Sequence, residues 1–210
     1  MIGVGILRSM RACLFFCFAL LPVAAQTSAV IDIDATTATP VNPNFSGVNA
    51  EAGFPVEYWD YRFNTLAAKL GLGWVRFPGG AESDIYNWQT GLEDADWFAP
   101  FANLSAGPGP NVVANVEGKG GARLVDAANR GNFLGVPLII CVNAFTDTPQ
   151  SAGQLAAWVK ANNIRVTAWE LANEAYLFPS FFATSTAYLN AMKPYRDAIK
   201  AIYPNAVVSI

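Results

Sequence analysis

From Phe45 onward the chain alternates short apolar runs with longer segments whose apolar residues recur at helical spacing, and no other feature narrows its fold as much. Parallel neighbours in a sheet need a long connection, usually a helix, so such alternation predicts a parallel α/β sheet with crossover helices. Strands are expected over 45–51, 73–77, 136–143 and 165–173, with one more opening at 206–210. Helices are expected over 58–70, 120–132, 151–162 and 185–202, the last bent near Pro194. Gly71 supplies a helix stop and Pro78-Gly79-Gly80 a turn leaving a strand. A stretch from Ala81 to about Gly118, rich in Gly, Pro and Asn, reads as a long irregular connection. Counted from Phe45, four βα units are complete and a fifth strand begins. A (β/α)8 barrel needs eight units and typically about 250 residues, so 45–210 reads as the amino-terminal half of one.

Residues 1–25 read as a signal peptide. Arg8 and Arg11 precede the apolar run 12–21, and small residues then favour cleavage near Ala25. A secreted or periplasmic protein is expected, without a mature membrane anchor, since no later stretch reaches transmembrane length. Residues 26–44 hold a strand at 29–34 and a Pro- and Asn-punctuated connection. Cys13 and Cys17 leave with the peptide, and Cys141 sits inside an apolar run as a buried small hydrophobe. The sequence contains no histidine, which removes Ser-His and Cys-His catalysis and the usual zinc sites, so no metal is called for. Charged residues make up 14% with a net charge of −3 and no basic stripe, which excludes nucleic acid as a partner.

The run Val166-Thr-Ala-Trp-Glu-Leu-Ala-Asn-Glu174 ends an apolar strand in an amide and an acid. In parallel α/β proteins functional groups cluster at the carboxyl ends of strands, where a substrate can reach them. Asn173 and Glu174 therefore stand as a candidate catalytic pair. The same dipeptide also suits a helix start, with Asn capping a backbone N–H and Glu favouring the positive helix end.

Four stretches, in this order and at successive strand ends, carry a resemblance: Phe45-Ser-Gly-Val-Asn-Ala-Glu51, Val75-Arg-Phe-Pro-Gly-Gly-Ala-Glu-Ser-Asp-Ile-Tyr-Asn-Trp88, Ile139-Ile-Cys-Val-Asn143 and Trp169-Glu-Leu-Ala-Asn-Glu174. Together they resemble the clan A glycoside hydrolases, in particular the α-L-arabinofuranosidase and heparanase-like β-glucuronidase branches. The resemblance implies a retaining glycosidase acting on an oligo- or polysaccharide, with no cofactor. It implies that Glu174 is the general acid/base, that Asn173 binds the sugar 2-hydroxyl, and that Arg76 lies beneath the nucleophile and keeps it ionised. Arg76 is equally readable as half of a structural ion pair. Asn49, Glu51, Asn143, Asp84, Trp88 and Tyr176 are candidate substrate-binding residues, with Glu82 and Tyr86 beside them. Glu51 also fits a surface loop, Asn143 the close of its strand, and Trp88 a core position under the loop.

The same resemblance places the nucleophile on a seventh strand, which the sequence does not reach, and implies that residues 26–44 pair with a β-sandwich that lies elsewhere. Glu170 is no substitute on strand geometry. It would lie roughly 13 Å from Glu174 at about 3.3 Å per residue, whereas retaining pairs stand about 5–5.5 Å apart and inverting pairs about 6.5–9.5 Å. The chain alone is therefore expected to be inactive. A β-glucuronidase, or a non-catalytic carbohydrate-binding half-barrel, remains an alternative; sugar, linkage and oligomeric state are not legible.

Overall fold

Parallel pairing in this chain follows the apolar runs. The computed structural model describes residues 39–42, 44–53, 60–93 and 121–209. Its elements are β1 (Gly47–Asn49), α1 (Tyr61–Ala67), β2 (Trp74–Phe77), β3 (Tyr86–Asn87), β4 (Leu92–Glu93), α2 (Leu124–Leu134), β5 (Leu138–Val142), α3 (Pro149–Ala161), β6 (Val166–Leu171), α4 (Ser185–Ile202) and β7 (Val208–Ser209). The sheet runs β1-β2-β5-β6-β7, parallel throughout, and β3 and β4 form a separate antiparallel ribbon. Each pair of consecutive sheet strands is thus adjacent in space, as short crossover connections favour.

Side chains alternate across a strand, and the two faces differ. Val75 and Phe77 of β2, Leu138 and Ile140 of β5, and Trp169 and Leu171 of β6 are buried in the same core as Leu124 and Ala127 of α2, Leu155 and Val159 of α3, and Met192 and Ile199 of α4. Burying each of the larger side chains contributes on the order of 2 kcal/mol. The alternate residues, among them Arg76, Cys141 and Glu170, face away from these helices.

Local signals set the helix ends. Thr148 and Thr184 sit in extended backbone and accept from the amides of Ser151 and Ala187, at 3.2 and 3.1 Å, opening α3 and α4. Gly135 closes α2 at φ 76°, as glycine in the left-handed region commonly does. Helix α4 matches its predicted span but runs unbroken through Pro194, whose missing N–H frees the carbonyl of the exposed Asn190 to water. The predicted α2 and α3 shift by up to four residues, and α1 shortens into a 3-10 turn, Ala68–Leu70, before Gly71. The connection read as irregular from Ala81 begins as a 3-10 turn, Ala81–Asp84, followed by the β3–β4 ribbon. Its continuation, the leader over 1–25 and the strand over 29–34 lie outside the described residues. No described helix is long and apolar enough to cross a membrane.

Candidate active site

The carboxyl ends of β2, β5 and β6 converge, and one guanidinium ties them together. Register places Asn49 beside Arg76, Cys141 beside Glu170, and Glu170 beside Ser209, which forms a polar layer on the face opposite the helices. Arg76 Nε donates to Glu170 Oε2 at 2.6 Å, Nη1 to Asn49 Oδ1 at 3.1 Å, and Nη2 to Asn173 Oδ1 at 3.0 Å. Nη1 also donates to the Gly79 carbonyl. The pair with Glu170 is partly buried, and its charge-assisted bond is of the strong kind.

Strand β6 stops sooner than 165–173 predicts. Its last ladder bond runs from the Ala172 amide to the Val142 carbonyl, and Ala172 then takes φ 62° and Glu174 φ 45°. Two non-glycine residues in the left-handed region cost roughly 1–3 kcal/mol each and persist only where the surroundings enforce them. The chain turns at these points, so the straight-strand separation of Glu170 from Glu174 does not apply. Both in fact line one cleft of about 470 Å³, with Asn173, Tyr176, Phe182 and Tyr188.

Within the cleft Glu174 is exposed, and its Oε1 accepts from the Tyr176 hydroxyl at 2.9 Å. It precedes a 3-10 turn, Ala175–Leu177, but makes no side-chain cap, and the Asn173 side chain goes to Arg76 instead. Neither residue of the dipeptide therefore serves as a helix cap. Among the described residues no lysine or arginine pairs with Glu174. Phe182 and Tyr188, packed edge-on against each other, line the cleft with Tyr176, and Phe182 also packs against Phe145, which meets Phe178 and Phe181 edge-on. Tyr188 in turn donates to the Leu171 carbonyl at 2.7 Å.

Other predicted residues take structural positions. Asp84 is 2% exposed and lies behind the cleft, where its Oδ1 accepts from the Asn173 amide at 2.8 Å. Burial pushes its carboxyl up to about 8, against the pull of that N–H and of Arg76. Asn143 is buried and closes the turn after β5, accepting from the amides of Phe145 and Thr146. Trp88 docks on α3, donating to Ser151 Oγ at 2.9 Å and packing on Trp158, and it lies outside the residues lining the cleft. Tyr86 is buried and donates to the Ala122 carbonyl.

Asn49 lies outside the residues lining the cleft and accepts from Arg76. Glu51 is half-buried beneath Gly79, and burial, with Glu82 next, raises its carboxyl. Sequence reasoning passed over Glu170 as Arg76's partner, although strand parity puts the two on one face. It also passed over Glu93, which is buried with neither carboxyl oxygen hydrogen-bonded among the described residues and is pushed up to about 8 by burial, then by Glu82 and Glu51.

Gly79 holds this arrangement at φ 135°, and a Cβ there would stand 2.9 Å from Glu51 Cγ and 3.2 Å from its Cα. Gly79→Ala is expected to cost on the order of 1–3 kcal/mol through the backbone conformation and this clash. Urea unfolding would read it, and an unchanged midpoint would contradict the fit.

No family model matches the chain, and neither does any curated protein. Solved structures do. The GH51 arabinofuranosidase from Xanthomonas axonopodis pv. citri superposes with a TM-score of 0.52 at 16% identity, over 76% of this chain and 37% of that one. The family 51 α-L-arabinofuranosidase from Bifidobacterium longum gives 0.55 at 19% identity, over 85% and 39%. A further arabinofuranosidase gives 0.54 at 15%, over 81% and 40%. The chain thus spans about two-fifths of the length of these structures. At such identity the likeness is one of fold, and it bears out the resemblance to glycoside hydrolases read from the strand ends at that level.

Proposed function

We propose that the protein is a retaining glycoside hydrolase of the arabinofuranosidase kind, its sheet part of a (β/α)8 barrel, with Glu174 as general acid/base. The observation that carries this reading is the placement of the Glu174 carboxylate, held on a strained turn at the carboxyl edge of a parallel sheet and opening into an aromatic-walled cleft. In the first step Glu174 gives its proton to the departing glycosidic oxygen while a second carboxylate bonds to the anomeric carbon. In the second step Glu174 takes a proton from the water that displaces that carboxylate. Asn173, with Oδ1 held by Arg76, keeps its Nδ2 donor for a sugar hydroxyl.

The second carboxylate belongs, on the resemblance, to a seventh barrel strand, which the five described strands of the parallel sheet do not include. Export through the leader over 1–25, with cleavage near Ala25, belongs to the same proposal, and so does an oligo- or polysaccharide substrate. Among the described residues the cleft lining includes no lysine or arginine to receive a substrate carboxylate, which favours a neutral sugar over a uronic acid.

The test is hydrolysis by the complete protein of 4-nitrophenyl α-L-arabinofuranoside against the β-D-glucuronide, with the anomer of the first-formed product read by proton NMR. Release from the arabinofuranoside with retention is expected. Preferential release from the glucuronide, or hydrolysis of neither, would overturn the proposal.

A further inference from the structure

We propose that Asp84 is a positioning residue for the acid/base turn, its buried carboxyl holding Ala172, Asn173 and Glu174 in place through the Asn173 amide. This rests on the assignment of Glu174 above. The ladder between β5 and β6 ends with the Ala172 amide, so the next N–H, that of Asn173, has no strand partner. Asp84 Oδ1 takes it at 2.8 Å from 89 positions away in the chain. A buried amide left without an acceptor is unfavourable, and here it lies between the two left-handed residues, where an alternative turn would release it.

Asp84 itself stands on a fixed base. The Ser83 hydroxyl and amide both donate to the Gly80 carbonyl, at 2.6 and 2.9 Å. The Asp84 carbonyl accepts from Thr146 Oγ1 at 3.0 Å, in the turn after β5. The exits of β2, β5 and β6 are therefore joined at this one residue, and the β6 exit carries the acid. The carboxyl need only accept a hydrogen bond to do this, and burial keeps it largely neutral near pH 7. An asparagine retains that acceptor, whereas an alanine does not.

The test compares Asp84→Ala, Asp84→Asn and Glu174→Ala in the complete protein, with rates normalised to titrated active sites. Asp84→Ala is expected to lower kcat about 10²-fold on glycosides with poor leaving groups, the scale of an ångström's misplacement, and to affect good leaving groups much less. Asp84→Asn is expected to recover to within about tenfold of the unaltered protein. Hydrogen exchange on the unaltered protein and on Asp84→Asn should find the Asn173 amide protected in both. A fast-exchanging Asn173 amide in the unaltered protein would overturn the inference, as would an Asp84→Ala loss equal for all leaving groups or unrelieved in Asp84→Asn. If Glu174→Ala itself shows no dependence on leaving group, the acid/base assignment fails instead.

Discussion

Glu174→Ala is expected to lower kcat/KM by about 10²–10⁴-fold on glycosides whose leaving group is a sugar alkoxide, the usual worth of a positioned proton donor. That range corresponds to about 2.7–5.4 kcal/mol of transition-state stabilisation at 1.36 kcal/mol per tenfold. Activated aryl glycosides should lose far less in the glycosylation step, because a nitrophenolate departs without a proton. Azide should then restore turnover by attacking the glycosyl intermediate, since an anion needs no base and fits the space the carboxylate vacates. Leaving-group series with the complete protein, with and without azide, check the expectation. A loss of the same size across the series, with no azide effect, would remove Glu174 from the chemistry. Tyr176 bears on the same test, since among the described residues its hydroxyl donates to Glu174 Oε1 at 2.9 Å.

Stability is expected to fall as pH rises from about 4 to 8, and the cause lies in two buried acids. Asp84 moves from 3.8 to about 8 on folding, and Glu93 from 4.5 to about 8. Below the lower values both states are protonated and no penalty exists. Between the lower and upper values the unfolded chain has released these protons while the folded chain retains them, so each rise in pH favours unfolding. The stability that neutral Asp84 and Glu93 permit is therefore full below about pH 4 and lost as pH climbs through about 8. At 1.36 kcal/mol per pKa unit, each group accounts for on the order of 5 kcal/mol over the window. The two together rival the roughly 5–15 kcal/mol by which domains are stable. Urea midpoints recorded from pH 4 to 8 should decline, and Asp84→Asn and Glu93→Gln should each flatten part of the slope. A flat profile in the unaltered protein would refute the burial argument for both residues.

The layout of strands and helices was legible because it rests on local periodicity. Helix α4 was read at its full span from apolar spacing, and the strand interiors around Val75, Ile140 and Trp169 from short, predominantly apolar runs. At the site only candidates were legible, where residue type signals chemistry, as at Asn173, Glu174 and Arg76. Its supports were not. Asp84 meets Asn173 across 89 positions and Arg76 meets Glu170 across 94, distances that no spacing rule spans. Ala172 and Glu174 adopt left-handed backbone against their intrinsic preference, so nothing in their identity announces the turn. Trp88 and Asn143 read both ways in the sequence, because aromatic and amide groups suit a sugar pocket and an ordinary packed loop alike; only their partners, Ser151 and Trp158 for Trp88 and the amides of Phe145 and Thr146 for Asn143, give them structural places.

One side chain, Arg76, makes fixed bonds to groups from β1, β6 and the turns after β2 and β6. Its planar fork meets them in directions that a lysine's single ammonium cannot reproduce. Among descendants of this sequence, positions 49, 76, 170 and 173 should accordingly drift as a block, each tolerated change answered by another, while the rings around Phe145 are free to diverge one at a time.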